Sequence, residues 1–256
     1  MPVNLEMRGP VALITIDYPP ANALSQKCAR DLAQAVARCN EQPQVRALVI
    51  TGAGEKIFVG GADLNELDGF DSSAGAEAVR RVKELFDLLR GGPKPVVAAI
   101  NGVAAGGGLE LALACDFRLA ADSARLGVPE VKLGVLPGAG GTQVLPRVVG
   151  PAAALEMMLL GGLLDAQRAL GLGLVHHVHP APSLLSESLE LAQRLAAMPP
   201  LAVAEIKAAV MDSMSLPLAQ GLERETGRFA RLCASADKSE GVAAFKQGRP
   251  PQFTGS

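Results

Sequence analysis

The stretch Gly106-Gly107-Gly108-Leu109-Glu110, followed by Val128-Pro129-Glu130 and then by Gly134-Val135-Leu136-Pro137-Gly138-Ala139-Gly140-Gly141, decides the reading of this chain. Consecutive glycines ahead of the apolar run Leu109 to Cys115 predict a helix whose first turn is bare backbone, open to close approach by a ligand. The first amides of a helix have no intrahelical acceptor and sit at the positive end of its dipole, so they stabilise negative charge on an oxygen. Gly107 is placed as one such donor. A second must come from elsewhere in the chain, and Gly60, in Phe58-Val59-Gly60-Gly61-Ala62-Asp63, is the candidate for the same steric reason. Glu110 falls in the first turn of the helix, and Glu130 approaches from the other side. Two carboxyl groups close together do not readily both ionise, so one holds its proton while the other acts as a base. That is acid/base machinery for adding water across a carbon-carbon double bond conjugated to a carbonyl held by the amides.

Outward from this block, strands alternate with helices. Val11 to Asp17 is β-branched and apolar and predicts a strand ended by Pro19-Pro20. Apolar residues at helical spacing from Ser25 to Asn40 predict a helix capped by Ser25. Residues 45–51 and 96–100 are further buried strands around a helix over 78–90, with Asn101-Gly102 as a turn; residues 65–77 read as a mobile loop or a short helix over a site. Phe117 to Ala121 and Ala124 to Gly127 are strands. Segments 152–160, 166–170, 184–197, 201–214 and 218–232 are mostly Ala- and Leu-rich and helical. The expected organisation is a sheet-containing core over residues 1–195 and a helical C-terminal region over 196–256, with prolines at 180, 182, 199 and 200 as punctuation.

Composition narrows the function classes. Lys plus Arg number 24 against 26 for Asp plus Glu, a net charge of -2 without the basic stripe that nucleic acid selects. The cysteines at 28, 39, 115 and 233 form no CxxC pair or dense framework, which predicts reduced thiols in a cytoplasmic protein. No basic-plus-apolar leader opens the chain, and Gly, Pro or charges cut every apolar run before about 20 residues, so neither a secretory signal nor a membrane span is expected.

In order along the chain, Asn22-Ala23-Leu24-Ser25, Phe58 to Leu64, Asn101-Gly102 with Gly106 to Ala112, Cys115-Asp116, Gly127 to Glu130 through Gly141-Thr142-Gln143, Ala166 to Val175 and Glu240 to Phe245 resemble the signature of the crotonase, or enoyl-CoA hydratase/isomerase, superfamily. The resemblance implies an α/β fold, a crotonase-like spiral of ββα units closed by a C-terminal helical region that supports trimers, or hexamers as dimers of trimers. It implies an enoyl-CoA hydratase, adding water syn to a trans-2-enoyl-CoA to give a 3-hydroxyacyl-CoA in fatty acid or related acyl-CoA catabolism. Gly60 and Gly107 would supply the oxyanion-hole amides, Glu110 would activate water and Glu130 would protonate the α-carbon. Family members that only shift a double bond generally lose the acid matching Glu110, so the pair favours hydration over the alternative 3,2-isomerase or other enolate chemistry. A silent acyl-CoA-binding or RNA-binding relative is the non-enzyme alternative. Gly138 would line the water and acyl site, and Ala23, Gly61, Ala62 and Asp63 would contact bent CoA. The family more often has Ala at Gly60 and Phe at Leu126. No metal, flavin or nicotinamide is implied, and CoA enters as part of the substrate.

Simpler readings compete with several of these residues. Gly138-Ala139-Gly140-Gly141 is not a dinucleotide loop, because the third glycine of GxGxxG would fall at Gln143. Asp63 reads equally as a helix cap. His176, His177 and His179 lack a fourth metal ligand and read as surface residues, and Cys115 reads as core. Phe229, Leu232 and Phe245 are either internal core or a cover for a neighbouring subunit's acyl pocket.

Overall fold

The computed structural model describes residues 2–256. Its centre is a sheet in the order β1 (Val3–Arg8), β2 (Val11–Ile16), β3 (Ala47–Gly52), β5 (Val96–Ile100), β7 (Phe117–Ala121), β10 (His177–His179). β1 runs antiparallel to β2, and the remaining pairs are parallel. β3 and β5 are buried along their whole length, which accounts for their unbroken apolar sequences: strands of a parallel sheet are covered on both faces.

A second, smaller sheet holds β4 (Ile57–Val59), β6 (Val103–Ala105), β8 (Arg125–Gly127) and β9 (Leu163–Asp165). β3 and β4, β5 and β6, and β7 and β8 are successive pairs, each sending its first strand to the large sheet and its second to the small one. Helices follow each pair: α2 (Leu64–Asp68) with α3 (Ser72–Gly91), then α4 (Gly107–Ala114), then α5 (Gly141–Val149). This is the expected succession of ββα units.

α1 (Gln26–Glu41) forms where its spacing predicts, with Ser25 accepting from the Cys28 amide at 3.1 Å and Cys28, Leu32, Val36 and Cys39 buried. Residues 65–77 are mostly helical rather than loop: Asp63 caps α2, and Asp71 caps α3, which therefore starts six residues before the expected 78. The apolar stripe starts at Ala78, so the first turns of α3 carry no periodic signal. α6 (Pro151–Leu160), α7 (Ala166–Gly171) and α8 (Leu184–Ala196) lead to the C-terminal helices α9 (Pro200–Ser213), α10 (Leu218–Cys233) and α11 (Ala236–Gln247).

One buried cation ties α9 to the sheet layer. Lys207 Nζ donates to Leu89 O at 2.6 Å, Lys94 O at 3.0 Å and Asp116 Oδ2 at 2.8 Å. Asp116 Oδ2 also accepts from the Val96 amide, which starts β5. Burial pushes the Asp116 carboxyl up, while Lys207 pulls it back. Phe229 and Phe245 are 70% and 89% exposed, so neither belongs to the core of this chain.

Candidate active site

The glycine block folds because other backbone comes too close for side chains. A Cβ on Gly108 would stand 2.0 Å from Val59 O, so α4 is packed directly on β4. Gly106 has φ 54°, and a Cβ there would lie 2.6 Å from Glu130 Oε1. The Gly106 amide donates to Gly127 O at 2.9 Å, holding β6 and β8 together just before Glu130. Two positions of one motif, Gly106 and Gly108, are thereby fixed by two strands, β8 and β4, and by the turn that carries Glu130.

Glu110 is 3% exposed, in the first turn of α4. Its Oε1 accepts from the Gly141 amide at 2.7 Å, and the Ala139 amide also bonds to the carboxylate. Burial pushes the Glu110 carboxyl up; the Gly141 and Ala139 amides and then the cations Arg90 and Lys83 oppose this by favouring the charged form. The proline-glycine run therefore cradles an acid and is not a phosphate loop.

Glu130 stands on a 3-10 turn, Pro129–Leu133, whose fold explains the proline at its start and the left-handed Gly134 at its end. Its Oε2 is buried without a hydrogen-bond partner among the described residues. Burial pushes the carboxyl up to about 7, and the charge of Glu110 adds to the rise. Burial raises both carboxyls, but at Glu110 amides and cations offset the rise, while Glu130 Oε2 has no partner among the described residues and the charge of Glu110 adds to its rise.

The expected second amide is not available. The Gly60 N–H donates to Ala21 O at 2.9 Å, and a Cβ on Gly60 would stand 2.9 Å from that same oxygen. Backbone passes close to Gly60, and its donor is spent on that backbone. The neighbouring strand segment is held by Asn22, at φ 49°, whose Nδ2 donates to Ile57 O at 3.0 Å and Ala53 O at 3.2 Å, while Oδ1 accepts from the Tyr18 amide. Two residues on, the Ala62 N lies 3.9 Å from where a Cβ of Gly107 would be. Among the described residues, neither the Ala62 nor the Gly107 amide has an acceptor. Ala62, expected as a CoA contact, therefore leaves its amide free beside that of Gly107, whereas the amide of Gly60, expected as the second donor, is bonded to Ala21 O.

The remaining expected positions surround this pair. Ala23 O accepts from the Ser25 amide, and Gly61 O accepts from the Leu24 amide at 2.8 Å, which brings the two predicted CoA-contacting segments side by side. The Asp63 carboxylate is taken as the cap of α2, accepting from the Asn65 amide at 2.9 Å. Gly138 faces α3, with a built Cβ 3.1 Å from Val79 Cγ2. His177 and His179 lie on β10, away from the acids, and His176 Nδ1 accepts from the Arg118 amide. Cys115 is buried, with its thiol pushed up to about 12 chiefly by burial, which fits core and not a nucleophile. No cluster of three or more potential metal-ligating side chains occurs among the described residues, nor is any helix there long and apolar enough to cross a membrane.

The family model described as Enoyl-CoA hydratase/isomerase matches residues 6–256. A crotonyl-CoA hydratase from Syntrophomonas wolfei is 38% identical over 98% of this chain and 97% of its own length. A 2,3-dehydroadipyl-CoA hydratase from Escherichia coli is 40% identical over 96% of this chain and 95% of its own. The crystal structure of an enoyl-CoA hydratase from Bacillus anthracis superposes with a TM-score of 0.96 at 38% identity, covering 100% of both chains.

Proposed function

We propose, for a chain that belongs to the enoyl-CoA hydratase/isomerase family, that it adds water to a trans-2-enoyl-CoA to give a 3-hydroxyacyl-CoA. The observation that carries this reading is the unequal environment of the two buried acids around Gly106: amides and cations offset the rise at Glu110, and no partner among the described residues meets Glu130 Oε2. Glu110, with amides and cations favouring its charge, takes a proton from water; Glu130, holding a proton up to about pH 7, gives one to the α-carbon. The thioester oxygen, which gains charge as the enolate forms, accepts from Ala62 and Gly107. The thioester conjugation itself makes the double bond electrophilic, so the reaction calls on no metal, flavin or nicotinamide. Ala23 and the Gly61 to Asp63 segment provide backbone for the CoA portion, and Gly138 with Val79 forms a wall for the acyl group.

Retention of both acids supports hydration over double-bond migration, which needs a proton to leave and return but no activated water. The same reading assigns the C-terminal helices to a homotrimer, or a hexamer made from two: Ile206, Leu218, Leu222 and Phe229 leave apolar side chains on α9 and α10 uncovered within one chain. The decisive assay follows loss of enoyl absorbance with crotonyl-CoA. Hydration by the native chain, with Glu110→Gln and Glu130→Gln each abolishing turnover but not CoA thioester binding, is expected. Conversion of a 3-enoyl-CoA without any hydration would overturn the reading.

A further inference from the structure

Arg90, near the C-terminal end of α3, is a cation that the chemistry so far leaves unused. Its guanidinium lies over the Phe86 ring, 5.7 Å from the centroid, and its side chain is 22% exposed. Nε is buried with no acceptor among the described residues. The nearest carboxylate, Asp87, is 3.6 Å from Nη1 and itself 76% exposed, so the pair is too long and too wet to hold the charge firmly. Nη2 instead reaches the back of Gly140, where a Cβ would meet it at 3.3 Å; Gly140 has φ 123°, a conformation that favours glycine. Gly140 is flanked by Ala139 and Gly141, the two residues whose amides grip Glu110.

We infer that Arg90 is a positioning residue for the paired acids: wedged behind Gly140, it holds the Ala139–Gly141 backbone against Glu110 and keeps Glu110, not Glu130, the charged member. A partly buried cation without a close anion is costly, and the charge it can compensate is the carboxylate on the far side of that backbone. The groups facing Glu110 are few: Arg90 and Lys83 from α3, Glu130 from the 3-10 turn, and the two amides ahead of α5. Arg90 acts more strongly than Lys83, which is exposed and screened by solvent. Asp87 and Cys115 are the other groups that act on Arg90, and the Cys115 thiol is neutral, being pushed up to about 12.

This inference rests on the hydratase reading, and its test separates the two. In the full chain, Arg90→Met moves the acidic limb of the kcat/KM profile for crotonyl-CoA upward, lowering kcat/KM at pH 6 by about tenfold while KM changes little. Arg90→Lys recovers most of the loss, and Lys83→Met leaves the limb in place. A limb unmoved in Arg90→Met, or equal losses at every pH in both Arg90 variants with a lowered Tm, overturns the role. Should Arg90→Met fail to fold, Arg90→Gln serves in its place with the same expected limb shift. If the native chain hydrates no enoyl-CoA, the functional reading fails by itself. Carboxyl NMR of 13C-glutamate-labelled protein, with Glu110 assigned through Glu110→Gln, then decides: Glu110 titrating at higher pH without Arg90 upholds the role, and unchanged titration overturns it.

Discussion

The carboxyl group of Glu130 is seated against Gly106, so closely that a Cβ at residue 106 would stand 2.6 Å from Oε1. Gly106 O in turn accepts from the Glu110 amide at 3.0 Å, so one glycine lies between the two acids and couples the start of α4 to the 3-10 turn.

That seat makes the basic limb of the pH profile depend on Glu130. Protonated Glu130 is needed to deliver a proton, and its carboxyl is held at about 7, so hydration falls as pH rises through that range. The stability sign follows the same shift. A folded-state value raised above the ordinary 4.5 gives stability that is fully present below 4.5 and lost as pH rises through about 7. Glu130→Gln is therefore expected to unfold at higher denaturant than the native chain at pH 8, by on the order of 2 kcal/mol, with the difference shrinking at pH 4.5. Urea melts at the two pH values measure it.

The two later glycines of the triplet separate backbone crowding from catalysis. Gly108→Ala places a methyl group 2.0 Å from Val59 O and 2.8 Å from Val59 C, backbone atoms of β4 that cannot swing aside as a side chain could. A loss of about 3 kcal/mol or more in stability is expected. Gly107→Ala meets Leu24 Cδ2 at 3.6 Å and Ala62 N at 3.9 Å, ordinary contact distances, and is expected to fold with the native Tm within a few degrees. Thermal melts of the two variants side by side check the contrast.

The choice between Gly60 and Ala62 is open to a single-atom test. Replacing the amide preceding residue 62 by an ester removes that N–H alone, and kcat is expected to fall about 10²-fold or more. The same replacement at residue 60 removes the bond to Ala21 O and should cost about 1 kcal/mol of stability with kcat largely retained. The reverse pattern would return the oxyanion role to Gly60.

Lys207 is a structural cation, and its loss should be felt in stability before activity. Lys207→Met leaves Asp116 buried without its partner and two carbonyls unsatisfied, an expected cost of about 3 kcal/mol. Chemical denaturation detects it, with m unchanged if the transition remains two-state.

Several features were written plainly in the chain. The glycine triplet ahead of an apolar run determined where α4 begins and put Glu110 in its first turn; the unbroken apolar segments determined the buried parallel strands; and Ser25 with its periodic partners determined α1. These are local signals, carried by dihedral freedom, capping and spacing. The small sheet was only partly legible, because strands of three residues such as β4, β6 and β9 are too short to show a period. Which amide is free was decided by tertiary structure alone: Gly60 and Ala62 are both small and two residues apart, and the difference is that Ala21 O accepts from the Gly60 amide and no acceptor among the described residues meets that of Ala62. Arg90 was equally invisible, since a charge near the end of an amphipathic helix reads as solvated until another loop closes on it. The sequence thus determined the kinds of groups available, and long-range packing decided which of them remained unpaired and able to act.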